Sequence, residues 1–263
     1  MTIIQHGDEE SAAGQTVRAV ARALDVALLV VGNGGATWMA DRTFGKVLEG
    51  FDQRDVSTTW RLDFVAATFT ADGLSTTMFR PIVMGGVNLV RAAEATVLGE
   101  RVARGELDVG VLAEEVARIN ALPRPYDRWT TLAAAAGAAA VFARLNGGDG
   151  GAVSLAFVAA GLGQLVRAPL AGMNLPVAPV HLLCGIISAC IAAVGLRLGV
   201  SQTAPAALIA SIVYMIPGLP LIKGVIEVAS RRYLAVGLER IADAGLLFMV
   251  LAIAIAFAWA VVT

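Results

Sequence analysis

The segment Tyr214-Met215-Ile216-Pro217-Gly218-Leu219-Pro220-Leu221-Ile222-Lys223-Gly224-Val225-Ile226-Glu227 limits what this chain can fold into more than any other stretch. It begins inside a long apolar run and ends in charge. Pro217 and Pro220 stand three residues apart with Gly218 between them. Each proline lacks a backbone N–H and crowds the carbonyl four residues earlier, so an ordinary helix cannot run through. In water such a segment is a loop. In lipid the freed backbone groups need protein or a wet cavity beside them, because hydrocarbon offers no partner. An interrupted membrane helix also marks binding sites in secondary transporters. Pro217, Gly218 and Pro220 are therefore the first candidates for a substrate path.

Composition says that the break is in lipid. Of 263 residues, 57% are hydrophobic and 16% charged, with mean hydropathy +0.72. A soluble domain carries about a quarter charged residues. The excess is uneven: charge recurs every few positions before Pro125, and long stretches after Trp129 have none. The net charge of -1 argues against a polyanionic partner such as nucleic acid. Cys184 and Cys190 are six apart and point to different faces of a helix. They read as buried free thiols; no Cys/His cluster suggests a metal, and no cofactor is expected. Residues 1–25 hold charge throughout and lack the apolar run of a signal peptide, so the N-terminus is expected in the cytoplasm.

Residues 1–125 read as a cytosolic α+β domain, large enough for its own core. Val17, Val20, Ala21, Leu24 and Leu28 give one apolar face to a helix over 11–31, which Gly32-Asn33-Gly34-Gly35 stops. A second helix is expected over 36–50. The alternation of Trp60, Leu62, Phe64, Ala66, Thr68 and Thr70 predicts a strand. Ala71-Asp72-Gly73 then turns the chain into a returning strand over 74–79. Helices over 86–104 and 108–120 follow, the second capped by Asp108 and closed by Pro123 and Pro125. The glycine-rich turn at 32–35 reads as a helix end; no Walker lysine follows it. Asp63 fits a solvated strand face, Asp72 a turn, and His6 a tail, so no nucleophile–base pair stands out. The chain is expected not to be an enzyme. A membrane-anchored hydrolase and a scaffold without transport are the remaining alternatives.

Residues 129–263 read as an α-helical transmembrane domain of five spans, near 130–145, 152–166, 177–198, 204–221 and 244–262, judged against the roughly 20 apolar residues that a bilayer requires. The fourth contains the break. Five spans put the chain ends on opposite sides, the C-terminus outside. The inner connections then carry Arg128, Arg167, Lys223, Arg231, Arg232 and Arg240, and the outer ones Arg144 and Arg197, a positive-inside bias. Small residues crowd the first span from Ala133 to Ala140, and Gly161 and Gly163 lie in the second; such faces let helix backbones come close.

Gly34-Gly35-Ala36-Thr37, the hairpin, Val87-Asn88-Leu89 and Val102-Ala103-Arg104-Gly105-Glu106-Leu107 resemble the cytosolic domain of the threonine/serine exporter family. Ile216-Pro217-Gly218-Leu219-Pro220-Leu221 resembles that family's most recognisable membrane motif, and the order and spacing hold along nearly the whole chain. The resemblance implies an inner-membrane exporter of small polar metabolites. Stopping after five spans resembles the split members, whose larger subunit works with a small all-membrane subunit. Split relatives are associated with dicarboxylates such as succinate as well as with amino acids. Where the family often has an asparagine and, four residues on, an aspartate, this chain has Lys223 and Glu227.

Lys223, Glu227 and Arg231 would stack along one helix face at steps of four. They fit a solvated interfacial helix with snorkelling heads. They also fit the cytoplasmic mouth of a translocation path, with Glu227 exchanging protons. His181 and Asn174, at the start of the third span, and Gln164, mid-span in the second, are further path candidates. Each also has a plain reading, respectively a bond to a helix-end carbonyl, a cap and an interhelical hydrogen bond. Expected partners are a small polar substrate, the bilayer, and a second small transmembrane subunit or further copies of this chain. With no ATP motif, an ion gradient, most simply of protons, would drive export.

Overall fold

The computed structural model describes residues 12–170, 172–173 and 175–262. It divides into two compact units. One comprises the chain up to Pro125 together with Lys223–Arg240; the other comprises Tyr126–Ile222 and Ile241 onward.

In the first unit, α1 (Ala12–Gly32), α2 (Thr37–Gly50), α3 (Leu89–Ala103) and α4 (Val109–Ala121) accompany a three-stranded sheet, β1 (Val56–Trp60), β2 (Phe64–Ala71) and β3 (Leu74–Pro81). The sheet is an antiparallel meander in the order β1-β2-β3. Ala71 pairs with Leu74, so the hairpin loop is only Asp72 and Gly73, with φ of 50° and 75°. Positive φ at both positions makes the turn whose twist suits a two-residue hairpin. The run from Trp60 to Thr70 is not one strand. It breaks at Arg61–Asp63, and Trp60 pairs back with Val65. The shared parity of Phe64, Thr68 and Thr70 is the less buried face; Val65, Ala67 and Phe69 point into the core. With them pack Val20 and Leu24 of α1, Phe44 of α2, Leu98 of α3 and Ile119 of α4. Tyr233 and Val236 belong to the same core.

Several of the helices stop by one device. At the end of α1, Gly35 N–H reaches Val30 O at 2.8 Å and Gly34 N–H reaches Val31 O at 3.1 Å, with Gly34 at φ 91°. This is the Schellman cap, which needs a left-handed residue. Gly105, Gly147 and Gly199 close their helices in the same way. Asp108 is the N-cap of α4, as expected. The α3 helix starts at Leu89 rather than 86, because the Asn88 side chain caps it by accepting from Arg91 N–H.

The second unit contains α5 (Arg128–Leu145), α6 (Gly150–Leu170), α7 (Val177–Arg197) and α8 (Ala204–Ser211), then a 3-10 turn at Val213–Met215. The first residues of α9 (Gly218–Ala229) and most of α10 (Leu234–Val262) complete it. Ala139 and Ala143 of α5 meet Ala156 and Ala160 of α6 and Ala210 of α8 in a core of small side chains. Outward, α6 and α10 expose Leu162, Leu165, Met249, Ile253 and Phe257, a face suited to lipid. Among the described residues, α6, α7 and α10 are long and apolar enough to cross a membrane, and α8 with α9 makes a fourth span if the bent pair counts as one. The expected first span does form α5, but its 18 residues lean on alanine and begin Arg-Trp-Thr-Thr, so it is less apolar than α6, α7 and α10. The last helix begins ten residues before the expected 244, because α10 starts at Leu234 within the first unit.

Asp149 joins the turn after α5 to the turn after α7. Its carboxylate accepts from Ala152 N–H at 2.7 Å, Ser201 Oγ at 2.7 Å and Gln202 N–H at 2.8 Å. Those donors hold the carboxyl down at about 2, the backbone N–H groups of Ala152 and Gln202 first among them.

Candidate functional site

The break is where the sequence puts it, and it is sharp. The helix axes before Met215 and after Gly218 differ by 70°. Met215 N–H bonds Ile212 O at 3.0 Å and Ile216 N–H bonds Val213 O at 3.1 Å, a tightened turn that ends at Pro217. Helix α9 resumes with Leu221 N–H on Pro217 O at 3.1 Å. Ser211, Ile212 and Met215 are all nearly inaccessible, and Pro217 is buried, so the interruption is set in protein. That is the condition under which irregular backbone is tolerated at membrane depth.

Directly before the break, Tyr214 OH lies 3.1 Å from Ser188 Oγ of α7. Both hydroxyls press on Gly163 of α6: a Cβ there would stand 2.0 Å from Ser188 Oγ and 2.2 Å from Tyr214 OH. One residue on, Gln164 is buried and accepts from Arg167 Nη1 at 3.4 Å. His181 is buried in α7 with Nδ1 2.9 Å from Val177 O, one turn back in its own helix. Asn174 lies outside the described residues.

Lys223 and Glu227 belong to the first unit, and both have partners there. Lys223 Nζ donates to Gly34 O. Glu227 is fully buried. Its Oε1 accepts from Thr37 N–H at 2.9 Å, and its Oε2 lies 2.9 Å from Arg240 Nε. No well-aligned hydrogen bond joins that last pair, so the contact is chiefly coulombic. Arg240 Nη2 donates to Thr37 Oγ1 at 3.2 Å. Ala36, the N-cap of α2, has no side chain able to cap, and Glu227 supplies the acceptor from 190 residues away. A carboxylate there also suits the positive end of the helix dipole. Arg231 does not continue the Lys223–Glu227 face. The helix ends at Ala229, and Arg231 turns left-handed at φ 58°.

Sequence reasoning missed Asp41. Its carboxylate accepts from Thr58 Oγ1, Arg232 Nη2 and Tyr233 OH, each at 2.7 Å, and from Trp60 Nε1 at 2.8 Å. Burial, and then the bond to Asp41, push the Tyr233 hydroxyl well above its ordinary range. Glu239 adds an ion pair to Arg61 and accepts from Leu62 N–H at 3.0 Å. The signal available was an acid on the apolar face of α2, between Ala40 and Phe44. Among the described residues, no group of His, Cys, Asp and Glu could hold a metal.

Helices long and apolar enough to cross a membrane, a bent pair among them, together with a small α+β unit, are the makings of a membrane protein. A family model described as "Putative threonine/serine exporter" matches residues 22–262. The chain belongs to the threonine/serine exporter family. No curated protein matches the chain, and no solved structure does.

Proposed function

We propose that the chain is the larger subunit of a secondary exporter in the bacterial inner membrane, with a cytoplasmic N-terminus and the C-terminus outside. It moves small polar metabolites, threonine/serine-type amino acids first, outward, driven by a proton gradient, together with a small transmembrane partner or further copies of itself. One observation carries this reading: the 70° interruption at Ile216–Pro217, buried among α7, α8 and the 3-10 turn. A helix broken in that way presents backbone groups to a polar cargo. Pro217, Gly218 and Pro220 form the path, with Gln164 and His181 beside it and Asn174 at the entry to the third span. Lys223 and Glu227 stand at its cytoplasmic mouth, where their bonds to Gly34 and Thr37 make the path sensitive to the cytosolic unit.

The test is efflux from proteoliposomes carrying the chain with and without a small membrane partner, loaded with labelled threonine or succinate. Threonine efflux should fall by an order of magnitude in Pro217→Ala/Pro220→Ala, because a continuous helix withdraws the backbone groups. Unchanged efflux in that variant overturns the reading. Efflux of succinate alone transfers it to dicarboxylates.

A further inference from the structure

The first unit contains a cleft of about 390 Å3 lined by Asp25, Leu28 and Asn33 of the α1 region, Arg91 of α3, and Val116 and Asn120 of α4. Its size is that of a small-molecule site. Backbone builds one wall. A Cβ at Gly32 would stand 2.9 Å from Val83 O, so α1 and the β3–α3 connection approach main chain to main chain. Gly85 N–H donates to Gly32 O, and Asn88 N–H to Asn33 O, each at 3.0 Å.

Arg91 is fixed from two sides. Its own N–H donates to the Asn88 side chain at 3.3 Å, and its Nε donates to Leu122 O, at the end of α4, at 3.0 Å. Nη2 donates to the same carbonyl. That contact uses two of the five N–H groups of a guanidinium, and Arg91 is one of the residues that line the cleft. Asp25 Oδ2 accepts from Arg22 Nη1 at 3.1 Å, a pair that engages one of its two oxygens. Asn88 connects the two lining residues Asn33 and Arg91, and its buried Nδ2 has no partner.

A held guanidinium, a carboxylate and two carboxamides around an apolar floor of Leu28 and Val116 complement a small zwitterion. A carboxylate pairs with Arg91 in the planar geometry that guanidinium favours, and an ammonium pairs with Asp25. A dicarboxylate would bring its second negative charge against Asp25. A simple amine would leave Arg91 without a counter-charge. We propose that this cleft binds a free α-amino acid on the cytosolic unit, separately from the break. Only its role, reporting the cytoplasmic level of the cargo, rests on the exporter reading; the binding itself does not.

The full chain in nanodiscs is titrated with labelled L-threonine, succinate and N-acetyl-threonine, which lacks the ammonium. Threonine should bind with a component that Asp25→Asn weakens about tenfold or more, the scale of one charge-assisted hydrogen bond. Any binding of N-acetyl-threonine should not be weakened by that change, and any binding of succinate should tighten, because a negative charge facing its second carboxylate is removed. Arg91→Gln should weaken all three. It also releases the Leu122 carbonyl, so its circular dichroism is recorded and Asp25→Asn carries the decision. Threonine affinity unchanged in both Asp25→Asn and Asn120→Ala overturns the proposal, as does absence of threonine binding at millimolar concentration. The two readings separate in the same preparations. Lost efflux in Pro217→Ala/Pro220→Ala with Asp25-dependent binding intact supports both sites. Asp25-dependent binding without wild-type efflux keeps the cleft and removes the exporter.

Discussion

Glu227 and Arg240 are two charges from consecutive helices, both out of water, holding the start of a third helix. Such a pair adds little net stability over well-packed apolar residues, but losing one partner leaves the other charge buried alone, at a cost of about 3–5 kcal/mol. Glu227→Ala strands Arg240 and also removes the acceptor for the first N–H of α2. It should therefore lower the melting temperature of the purified chain more than Glu227→Gln/Arg240→Met, in which no charge remains. Differential scanning fluorimetry in one detergent ranks the two. The reverse order would mean that water reaches the pair. Asp149 is the part-buried counterpart. Its carboxyl is depressed to about 2 from an ordinary value near 3.8. The stabilisation it gives is thus complete above the ordinary value and is lost as pH falls through the depressed one. Asp149→Asn should remove that pH dependence, read as the melting temperature between pH 5 and pH 2.

At the scale of elements, α6, α7 and the 3-10 turn meet at Gly163, Ser188 and Tyr214 with no room to spare. Gly163→Ala places a methyl group onto two hydroxyls, and overpacking of that kind costs about 1–3 kcal/mol. Gly161→Ala is the matched control, since its Cβ would find Ala136 at 3.5 Å, an ordinary contact. Efflux and melting temperature should both fall in Gly163→Ala and hold in Gly161→Ala. Equal behaviour of the two would show that α6 shifts freely past Tyr214. The elements themselves were legible to different degrees. The break could be read because proline's missing donor acts locally, whatever surrounds it. The α4 cap and the Asp72-Gly73 turn could be read for the same reason. Strand β1 could not, because Ser57, Thr58 and Thr59 carry little hydrophobic pattern and owe their conformation to pairing with Thr68, Ala67 and Ala66. Helix α5 was legible as a helix, and its alanines pack closely against α6 and α8, a use that apolarity alone does not announce. The Glu227–Thr37 bond was out of reach, since no spacing rule connects residues 190 positions apart.

At the scale of the molecule, residues 1–125 do not complete the first unit. Tyr233 and Val236 enter its core, Glu227 caps its second helix, and Asp41 waits for Tyr233. Full burial of a large apolar side chain is worth about 1.5–3 kcal/mol, so the absence of residues 223–240 removes two such contributions, from Tyr233 and Val236, together with the cap. Residues 12–125 expressed alone should unfold at lower urea, and bind more of a hydrophobic dye, than the same residues joined through a short linker to 223–240. Equal midpoints would show the later segment to be a passenger. The comparison also governs how a hydrolase would be sought, since activity absent from 1–125 alone could reflect an unfinished core, whereas absence from the joined form could not. The same segment includes the end of α9, which begins at the break, and the start of α10, which runs on into the apolar half. The residues lying between the broken helix and the last span are thus held in the first unit by Glu227, Arg240 and Asp41 and are continuous in the chain with both helices. Substitutions at Asp41 should therefore change the rate of efflux while leaving Pro217 and Pro220 untouched. Asp41→Asn, which keeps an acceptor for Trp60 and Tyr233 but gives up the charge, should alter efflux less than Asp41→Ala when both are measured in the same proteoliposomes.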